Sequence, residues 1–203
     1  MSLPVTVTTS DAYHHILPVF FKQYNKFWGD PFDLVGYKKP PDLPSNCTFV
    51  SLGVQRGPKF FTDDLAPYFQ KQDTWVVWLF EDSLIKGFDR VAFDKIVDTF
   101  SINPDIGKIN LTNEGMHRDH ELAGDYFYVV TNTLYRLSTQ PAIWNRDFLL
   151  RYMTPGLSPW GFETKVAYPS DNYKIVGPTT NILNHNEGVR KHDIHNLNME
   201  GIE

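Results

Sequence analysis

Apolar residues along the chain follow two different periods, one typical of strands and one typical of helices. Val5 and Val7 alternate with threonines and predict a first strand over 3–8, whereas the apolar residues of 17–28 and 93–100 recur at helical spacing. Further strands are predicted over 33–37, 48–52, 108–111, 126–130 and 173–176, and further helices after Asp63, Pro141 and Ser158. Strands that alternate with helices indicate an α/β fold with a mixed, mostly parallel central sheet flanked by helices.

The residues at 75–82 form an uninterrupted apolar run that ends in two acids, Glu81 and Asp82. A run this rich in aromatic and β-branched residues is typical of a central strand that is covered on both faces. Open α/β sheets bind ligands beyond the carboxyl ends of such strands, so both acids are expected at a ligand-binding crevice. The alternative is that they only begin the next loop or cap the helix that starts near Asp89.

Three other segments complete this description. The helix after Pro141 is expected to place Trp144 and Phe148 on one apolar face. Segment 113–124 is polar and is expected to form an exposed loop over the sheet. It contains the titratable group His117, Arg118, Asp119 and His120. Segment 187–203 is expected to be a polar tail that adds little to the core.

Composition favours one domain over 1–203 and a ligand with flat faces. The 203 residues include 41% hydrophobic and 21% charged residues, and no linker of Pro, Gly or Ser divides them. The fifteen Phe, ten Tyr and five Trp suit sugars or bases as ligands. A net charge of −5 argues against a broad basic surface for nucleic acid.

Several protein classes lack their usual sequence signals. Cys47 is the single cysteine, which excludes an intramolecular disulfide and a cysteine-based zinc cluster. The sequence has no run long enough to span a membrane and no secretory signal, so we expect a cytoplasmic protein without a membrane span. Neither a GxGxxG nor a GxxxxGK[ST] loop is present, so dinucleotide redox chemistry and P-loop phosphoryl transfer have no support.

A second candidate for chemistry lies at 158–163. Ser158 can cap a helix, Pro159 fits its first position, and Glu163 follows about one turn later. Trp160 and Glu163 are three residues apart and share a helix face, so an indole would stand beside a carboxylate. That pairing suits a sugar ring and a hydroxyl group that is to be deprotonated. The alternative is an extended capping box with a core tryptophan.

Six short motifs follow one another along most of the chain. They are Gly36-Tyr37, Leu43-Pro44, Ser51-Leu52-Gly53, and the segments 78–82, 137–144 and 158–163. Their order resembles that of small bacterial, phage and large-virus glycosyltransferases with a GT-A-like fold, the nucleotide-diphospho-sugar transferase fold. The resemblance implies a nucleotide-sugar donor over the carboxyl ends of the first strands, and Mn²⁺ or Mg²⁺ beside its diphosphate.

The resemblance also implies roles for particular residues. Glu81 and Asp82 occupy the acidic metal position, but they are adjacent and not spaced as Asp-x-Asp, so Asp82 is the better single ligand. Glu163 matches the general base of inverting members. His185 matches a late metal ligand of some relatives, or is a solvated loop histidine. Tyr37 could stack on the donor base or belong to the core. The segment expected to meet the base and ribose is Thr8, Thr9, Ser10 and Asp11.

Three functions therefore stay open at the level of sequence. The first is transfer of a sugar from a nucleotide-diphosphate donor to a hydroxyl acceptor, which could be a glycan, a lipid-linked sugar, a protein or a modified DNA base. The second is a non-catalytic carbohydrate-binding or structural virion module, in which Glu81 and Asp82 act only as caps. The third is a sugar nucleotidyltransferase, which should offer a glycine-rich triphosphate loop that this sequence lacks.

Overall fold

Helices alternate with strands in the computed structural model, which describes residues 3–113, 120–129, 135–165, 172–190, 193–197 and 202. The strands within these residues are β1 Val5–Thr8, β2 Phe32–Gly36, β3 Cys47–Ser51, β4 Trp75–Phe80, β5 Ser83–Phe88, β6 Ile106–Asn110, β7 His120–Ala123, β8 Tyr126–Val129, β9 Ala142–Asn145, β10 Lys174–Pro178, β11 Leu183–Glu187, β12 Val189–Arg190 and β13 Asp193–Leu197. The α-helices are α1 Leu17–Phe27, α2 Phe61–Phe69, α3 Arg90–Phe100, α4 Arg146–Tyr152 and α5 Pro159–Lys165. No helix in the described part of the chain has the length and apolar character to cross a membrane.

The central sheet is mixed and mostly parallel, as the sequence predicted. Nine of the described strands form it in the order β3-β2-β1-β4-β9-β6-β10-β8-β7. The pairs within β3-β2-β1-β4 and the pair β6-β10 are parallel, whereas β9 and β8 are antiparallel to both of their neighbours. Seven strands therefore run in one direction, and β9 and β8 run in the other.

Both faces of the sheet are covered, which explains the unbroken apolar run of β4. Side chains of a strand alternate between its faces. Val77 and Leu79 pack in the cluster that contains α1 and α3. Val76 and Trp78 pack in the cluster that contains α2, α4 and α5. Because β4 is buried on both sides, every position from 75 to 79 must be apolar, and the predicted central strand is confirmed.

The helix predicted to begin at Pro141 is wrong in its first turn. Residues Ala142–Asn145 form β9, which lies between β4 and β6 and is antiparallel to both. Asn145 then caps α4, because its Oδ1 accepts hydrogen bonds from the backbone N–H groups of Asp147 at 3.0 Å and Phe148 at 3.2 Å. Trp144 and Phe148 are both buried, but only Phe148 is helical. Pairing within the sheet outweighs the local helical spacing here.

The two segments predicted to be irregular contain strands. Residues His120–Ala123 form β7 at an edge of the central sheet, so the loop expected over 113–124 is shorter than predicted. In the tail, β12 pairs with β13, and β11 pairs with β5 in a separate sheet that ends at Glu187. Strand pairing uses backbone groups and needs no apolar run, which is why polarity misled the prediction. His117, Arg118 and Asp119 lie outside the described residues.

Candidate active site

A cavity of about 900 Å³ lies where the strand order of the sheet reverses. From β1 the chain goes through α1 to β2 on one side, and it later returns through α2 to β4 on the other side. Such a reversal leaves a crevice beyond the carboxyl ends of the two middle strands. The cavity is lined there by Thr9 and Ser10, which follow β1, and by Glu81 and Asp82, which follow β4.

The Glu81 carboxylate holds the segment that follows β1. Glu81 is buried, and its Oε1 accepts hydrogen bonds from the Thr9 hydroxyl and the Ser10 backbone N–H, each at 3.2 Å. The Thr8 hydroxyl is used differently, because it accepts a hydrogen bond from Trp78 Nε1 at 2.7 Å. Glu81 is predicted to be a metal ligand, and these contacts engage one of its two carboxylate oxygens, Oε1. Thr8, Thr9 and Ser10 line the cavity as expected.

Of two residues predicted to contact the donor, Tyr37 lines the cavity and Asp11 does not. Asp11 does not line the cavity; its carboxylate accepts a hydrogen bond from the Lys38 backbone N–H at 3.0 Å and so ties down the segment after β2. Tyr37 lines the cavity, and its hydroxyl donates to Asp64 Oδ2 at 3.0 Å. The same Asp64 also pairs with Arg56. The ring of Tyr37 is therefore held in place beside open space, and it is half-buried rather than part of the core.

Asp82 lies in a concentration of negative charge. Burial, and then the charges of Glu187 and Glu163, raise the pKa of its carboxyl group. No side chain of the described residues forms a hydrogen bond or ion pair with this carboxylate. Pairing of β5 with β11 places Glu187 opposite Ser83, and the Gly188 N–H donates to the Asp82 carbonyl at 2.5 Å. The acids come together because the late strand β11 returns to the end of β4.

His185 is a buried side chain whose polar atoms have no partner in the described protein. It is 8% exposed, and neither ring nitrogen forms a hydrogen bond. Burial, with a smaller effect of Lys86, lowers its pKa to about 4, so the ring is neutral and the lone pair of one nitrogen can accept a hydrogen bond or bind a metal cation. Buried polar groups are rarely left unsatisfied, and His185 lines the cavity, where a bound molecule can reach its ring. The alternative of a solvated loop histidine is wrong, because His185 lies in β11.

The carboxylates and His185 fit part of a cation site. Within the described ranges, no group of three His, Cys, Asp or Glu side chains is close enough to hold a metal ion by itself. Mg²⁺ sites in phosphate-transfer enzymes commonly use only one or two protein ligands, and the substrate phosphates and water supply the others. Asp82 is a carboxylate donor of that kind, whereas the imidazole of His185 suits a transition metal such as Mn²⁺ better than Mg²⁺. Glu81 already engages its Oε1 atom with Thr9 and Ser10.

Glu163 reaches the same cavity from α5. Ser158 caps this helix, since its Oγ accepts a hydrogen bond from the Gly161 N–H at 3.0 Å. The Glu163 Oε1 atom accepts hydrogen bonds from the Thr139 backbone N–H at 2.5 Å and from the Thr139 hydroxyl at 2.6 Å. Glu163 Oε2 accepts none from the described residues. One oxygen is thus fixed to the protein, and the other is available to a bound molecule.

Trp160 stands at the mouth of the cavity and not in the core. It is 55% exposed and lies 5.9 Å from the ring of Tyr135, edge to face. Its neighbour in sequence, Phe162, is fully buried and takes the core position of the helix. The alternative interpretation of this segment was a capping box with a tryptophan in the core. Its cap at Ser158 is confirmed, but its prediction that Trp160 is buried is wrong. Trp160 and Glu163 both line the cavity.

The sequence analysis did not predict Glu187, Thr139 or Tyr13 as site residues, although all three line the cavity. Glu187 lies two residues after His185, a spacing that puts both on one face of a strand, but 187 was assigned to the tail. Thr139 lies in a motif segment, but nothing in the sequence links it to Glu163. Tyr13 follows the turn after β1, and burial, with smaller effects of Glu81 and Asp82, raises its pKa.

Glu81 should make stability depend on pH. Burial, followed by the charge of Asp82, raises its pKa from 4.5 to about 8. The folded state therefore keeps a proton that the unfolded state releases above pH 4.5, so the stabilisation is present at low pH and is lost as pH rises towards 8. Between pH 4.5 and pH 8, we expect the free energy of unfolding of the wild type to fall relative to that of the Glu81→Gln variant. The fall is at most about 1.4 kcal/mol per pH unit. Urea denaturation of both proteins measures this difference, and a constant difference would contradict the assignment.

Comparison with known proteins identifies the fold. No protein-family profile and no curated protein matches the chain. The structure of CMP:2-keto-3-deoxy-manno-octonic acid synthetase complexed with CTP is similar, with a TM-score of 0.50 and 10% identity over 92% of this chain and 93% of that one. Galactosyltransferase LgtC in complex with donor and acceptor sugar analogues gives a TM-score of 0.46 and 14% identity over 84% of this chain and 68% of that one.

The extent of these matches differs between proteins. An active-site mutant of LgtC is matched over 73% of this chain and 59% of its own length, with 14% identity and a TM-score of 0.45. This chain thus spans about three fifths of that transferase. At such identities the similarity concerns architecture. The chain has the mixed α/β, GT-A-like fold that its sequence predicted.

Proposed function

We propose that the protein is a glycosyltransferase that moves a sugar from a nucleotide-diphosphate donor to a hydroxyl group of an acceptor. One observation carries this proposal. Asp82 and His185 line the same cavity as Glu163 and Trp160, so groups suited to a diphosphate and its cation stand in one space with groups suited to an attacking alcohol. The cavity lies at the ligand-binding position of open α/β sheets.

The donor is bound beyond β1 and β4. Thr9 and Ser10 offer hydroxyl groups for the base and ribose, and the half-buried ring of Tyr37 offers a face for stacking. Mn²⁺ or Mg²⁺ would be held by Asp82 and His185 and by diphosphate oxygens. When bound, the cation stabilises the negative charge that develops on the leaving nucleoside diphosphate. The surplus of acids around Asp82 supports this, because a cation relieves their repulsion.

The acceptor is activated by Glu163. Its Oε2 atom takes the proton of the acceptor hydroxyl while Thr139 holds Oε1. Trp160 offers a flat face on which an acceptor sugar can stack. An ion pair between Glu163 and Arg146 would prevent Glu163 from acting as a base. Arg146 instead donates to Asp147 at 3.0 Å and to the Gln72 carbonyl at 3.0 Å. A base on the acceptor side supports direct displacement with inversion of the sugar carbon.

A sugar nucleotidyltransferase is the second candidate, because the fold is shared with a synthetase that binds CTP. Triphosphate binding usually relies on a glycine-rich loop and on Lys or Arg. Among the described residues that line the cavity there is no Lys or Arg, whereas Asp82, Glu163 and Glu187 are acidic. This balance favours a donor that arrives with a divalent cation and a site that consumes the activated sugar.

Thermal denaturation with a panel of ligands tests the proposal. The panel contains UDP, GDP and dTDP sugars and CTP, each with and without Mn²⁺. We expect one nucleotide sugar with Mn²⁺ to raise the melting temperature by about 5 to 10 °C at one hundred times its Kd. Incubation of that donor with saccharide acceptors should then release nucleoside diphosphate.

Other outcomes of the same panel contradict the proposal in distinct ways. A shift with CTP alone, followed by pyrophosphate release from CTP and a sugar, would support the nucleotidyltransferase. A shift with free saccharides and none with any nucleotide would support the non-catalytic carbohydrate-binding module.

A further inference from the structure

Two basic side chains among the described residues are buried and do not line the cavity. Lys108 in β6 is 0% exposed and Arg136 is 1% exposed. Arg136 donates to the Tyr173 carbonyl at 2.7 Å. The Lys108 Nζ atom donates to the Ser138 carbonyl at 2.6 Å and lies 4.7 Å from the centre of the Trp144 ring. A buried ammonium group is costly unless it is paired, so Lys108 requires an explanation.

The Ser138–Thr139 peptide bond joins Lys108 to Glu163. Its carbonyl oxygen accepts the hydrogen bond from Lys108 Nζ, and its N–H donates to Glu163 Oε1 at 2.5 Å. A single peptide group thus stands between a cation and a carboxylate. Hydrogen bonds in such a chain polarise one another, so an ammonium group on the carbonyl makes the N–H a stronger donor.

We propose that Lys108 is a positioning residue for Glu163, which it fixes through the Ser138–Thr139 peptide bond so that Oε2 faces the acceptor hydroxyl. This inference rests on the proposed function, in which Glu163 is the base. Lys108 itself touches neither donor nor acceptor, because it is fully buried and does not line the cavity. Its positive charge also offsets the acids that share the cavity with Glu163.

Charge around Lys108 makes this link sensitive to pH. Burial lowers the pKa of Lys108 to about 7, while Glu163 raises it and Arg136 lowers it. Glu163 faces Lys108 from α5, and Arg136 faces it from the segment before β9. Because the ammonium form predominates below that pKa, the Thr139 N–H should be the stronger donor at low pH and the weaker donor as pH rises through about 7.

Replacement of Lys108 by methionine tests the inference with two readouts. In the absence of substrate, we expect the Thr139 amide proton to resonate at lower field in the wild type than in Lys108→Met, and its shift with pH to be lost in the variant. In transfer assays we expect kcat to fall about 10- to 100-fold with donor KM unchanged, since a misplaced base slows only the chemical step. Lys95→Met is the matched control, because Lys95 lies on α3 in an exposed ion pair with Asp125.

The two readouts separate this inference from the proposed function. An unchanged Thr139 resonance in Lys108→Met would overturn the inference whatever the activity. The Thr139 resonance could instead differ between wild type and Lys108→Met while the wild type transfers no sugar. That result would refute the proposed function and keep the link between Lys108 and Glu163. If the methionine variant does not fold, Lys108→Gln keeps a donor for the Ser138 carbonyl and removes the charge. Wild-type kcat and a wild-type Thr139 resonance in Lys108→Gln would also overturn the inference.

Discussion

Replacement of Glu163 by glutamine will remove sugar transfer and leave donor binding intact. Glutamine keeps the shape of the side chain and can still accept hydrogen bonds from Thr139 through its amide oxygen, but it cannot take a proton from an alcohol. General base catalysis contributes about 10²- to 10⁴-fold to such reactions, so we expect kcat to fall by that factor. The measurement is release of nucleoside diphosphate in the presence of acceptor.

Donor binding provides the control for this variant. The proposed function assigns Glu163 to the acceptor, so the shift in melting temperature produced by nucleotide sugar and Mn²⁺ should equal that of the wild type. The Thr139→Val variant makes a useful comparison, since it removes one of the two hydrogen bonds to Oε1 and leaves the carboxylate. Its kcat should lie between those of the wild type and Glu163→Gln. Undiminished transfer by Glu163→Gln would reject Glu163 as the base.

Replacement of Asp82 by asparagine will remove the dependence of donor binding on a divalent cation. The carboxylate of Asp82 is destabilised by burial and by the charges of Glu187 and Glu163, and a bound cation would reverse that balance. We expect the Mn²⁺-dependent part of the thermal shift to vanish and transfer to fall by about two orders of magnitude, equivalent to about 3 kcal/mol. Thermal denaturation with donor, with and without Mn²⁺, is the measurement.

A surface variant and the ligand-free protein serve as controls for Asp82→Asn. Asp98 lies exposed on α3, and Asp98→Asn should retain the full Mn²⁺ effect. Without ligand, Asp82→Asn should be at least as stable as the wild type at neutral pH, because it removes a repelled charge. A loss of donor binding therefore cannot be attributed to unfolding. A Mn²⁺ effect that persists in Asp82→Asn would exclude Asp82 as a ligand.

Local patterns predicted those parts of the fold in which one chain segment determines its own environment. The run at 75–80 is apolar on both faces, and the structure buries it on both faces as β4. Ser158 and Pro159 predicted the start of α5, and Ser158 caps it. A helix was predicted to start near Asp89, and Asp89 caps α3 by accepting a hydrogen bond from the Ala92 N–H at 2.9 Å. Caps and buried strands leave strong local signals because their energetic causes lie within a few residues.

Where a distant strand supplies the partner, local patterns failed. Ala142–Asn145 is a strand because it fits between β4 and β6, although its spacing and the proline before it favoured a helix. The end of β11 was assigned to a polar tail, yet its pairing with β5 brings His185 and Glu187 to Asp82. The pairing of β5 with β11 joins residues about 100 positions apart, and no short window of sequence contains both partners.

Sequence patterns were sufficient to predict the α/β class, the strand that ends at Glu81 and Asp82, and the helix that carries Trp160 and Glu163. These follow from hydrophobic period and capping, which act between near neighbours. The three-dimensional arrangement was needed to show which acids share a cavity, that Glu81 binds Thr9 and Ser10, and that one peptide group connects Lys108 with Glu163. The physical reason is that charge and hydrogen-bond partners are set by distance in space, which strand order and register fix only when the whole sheet is assembled.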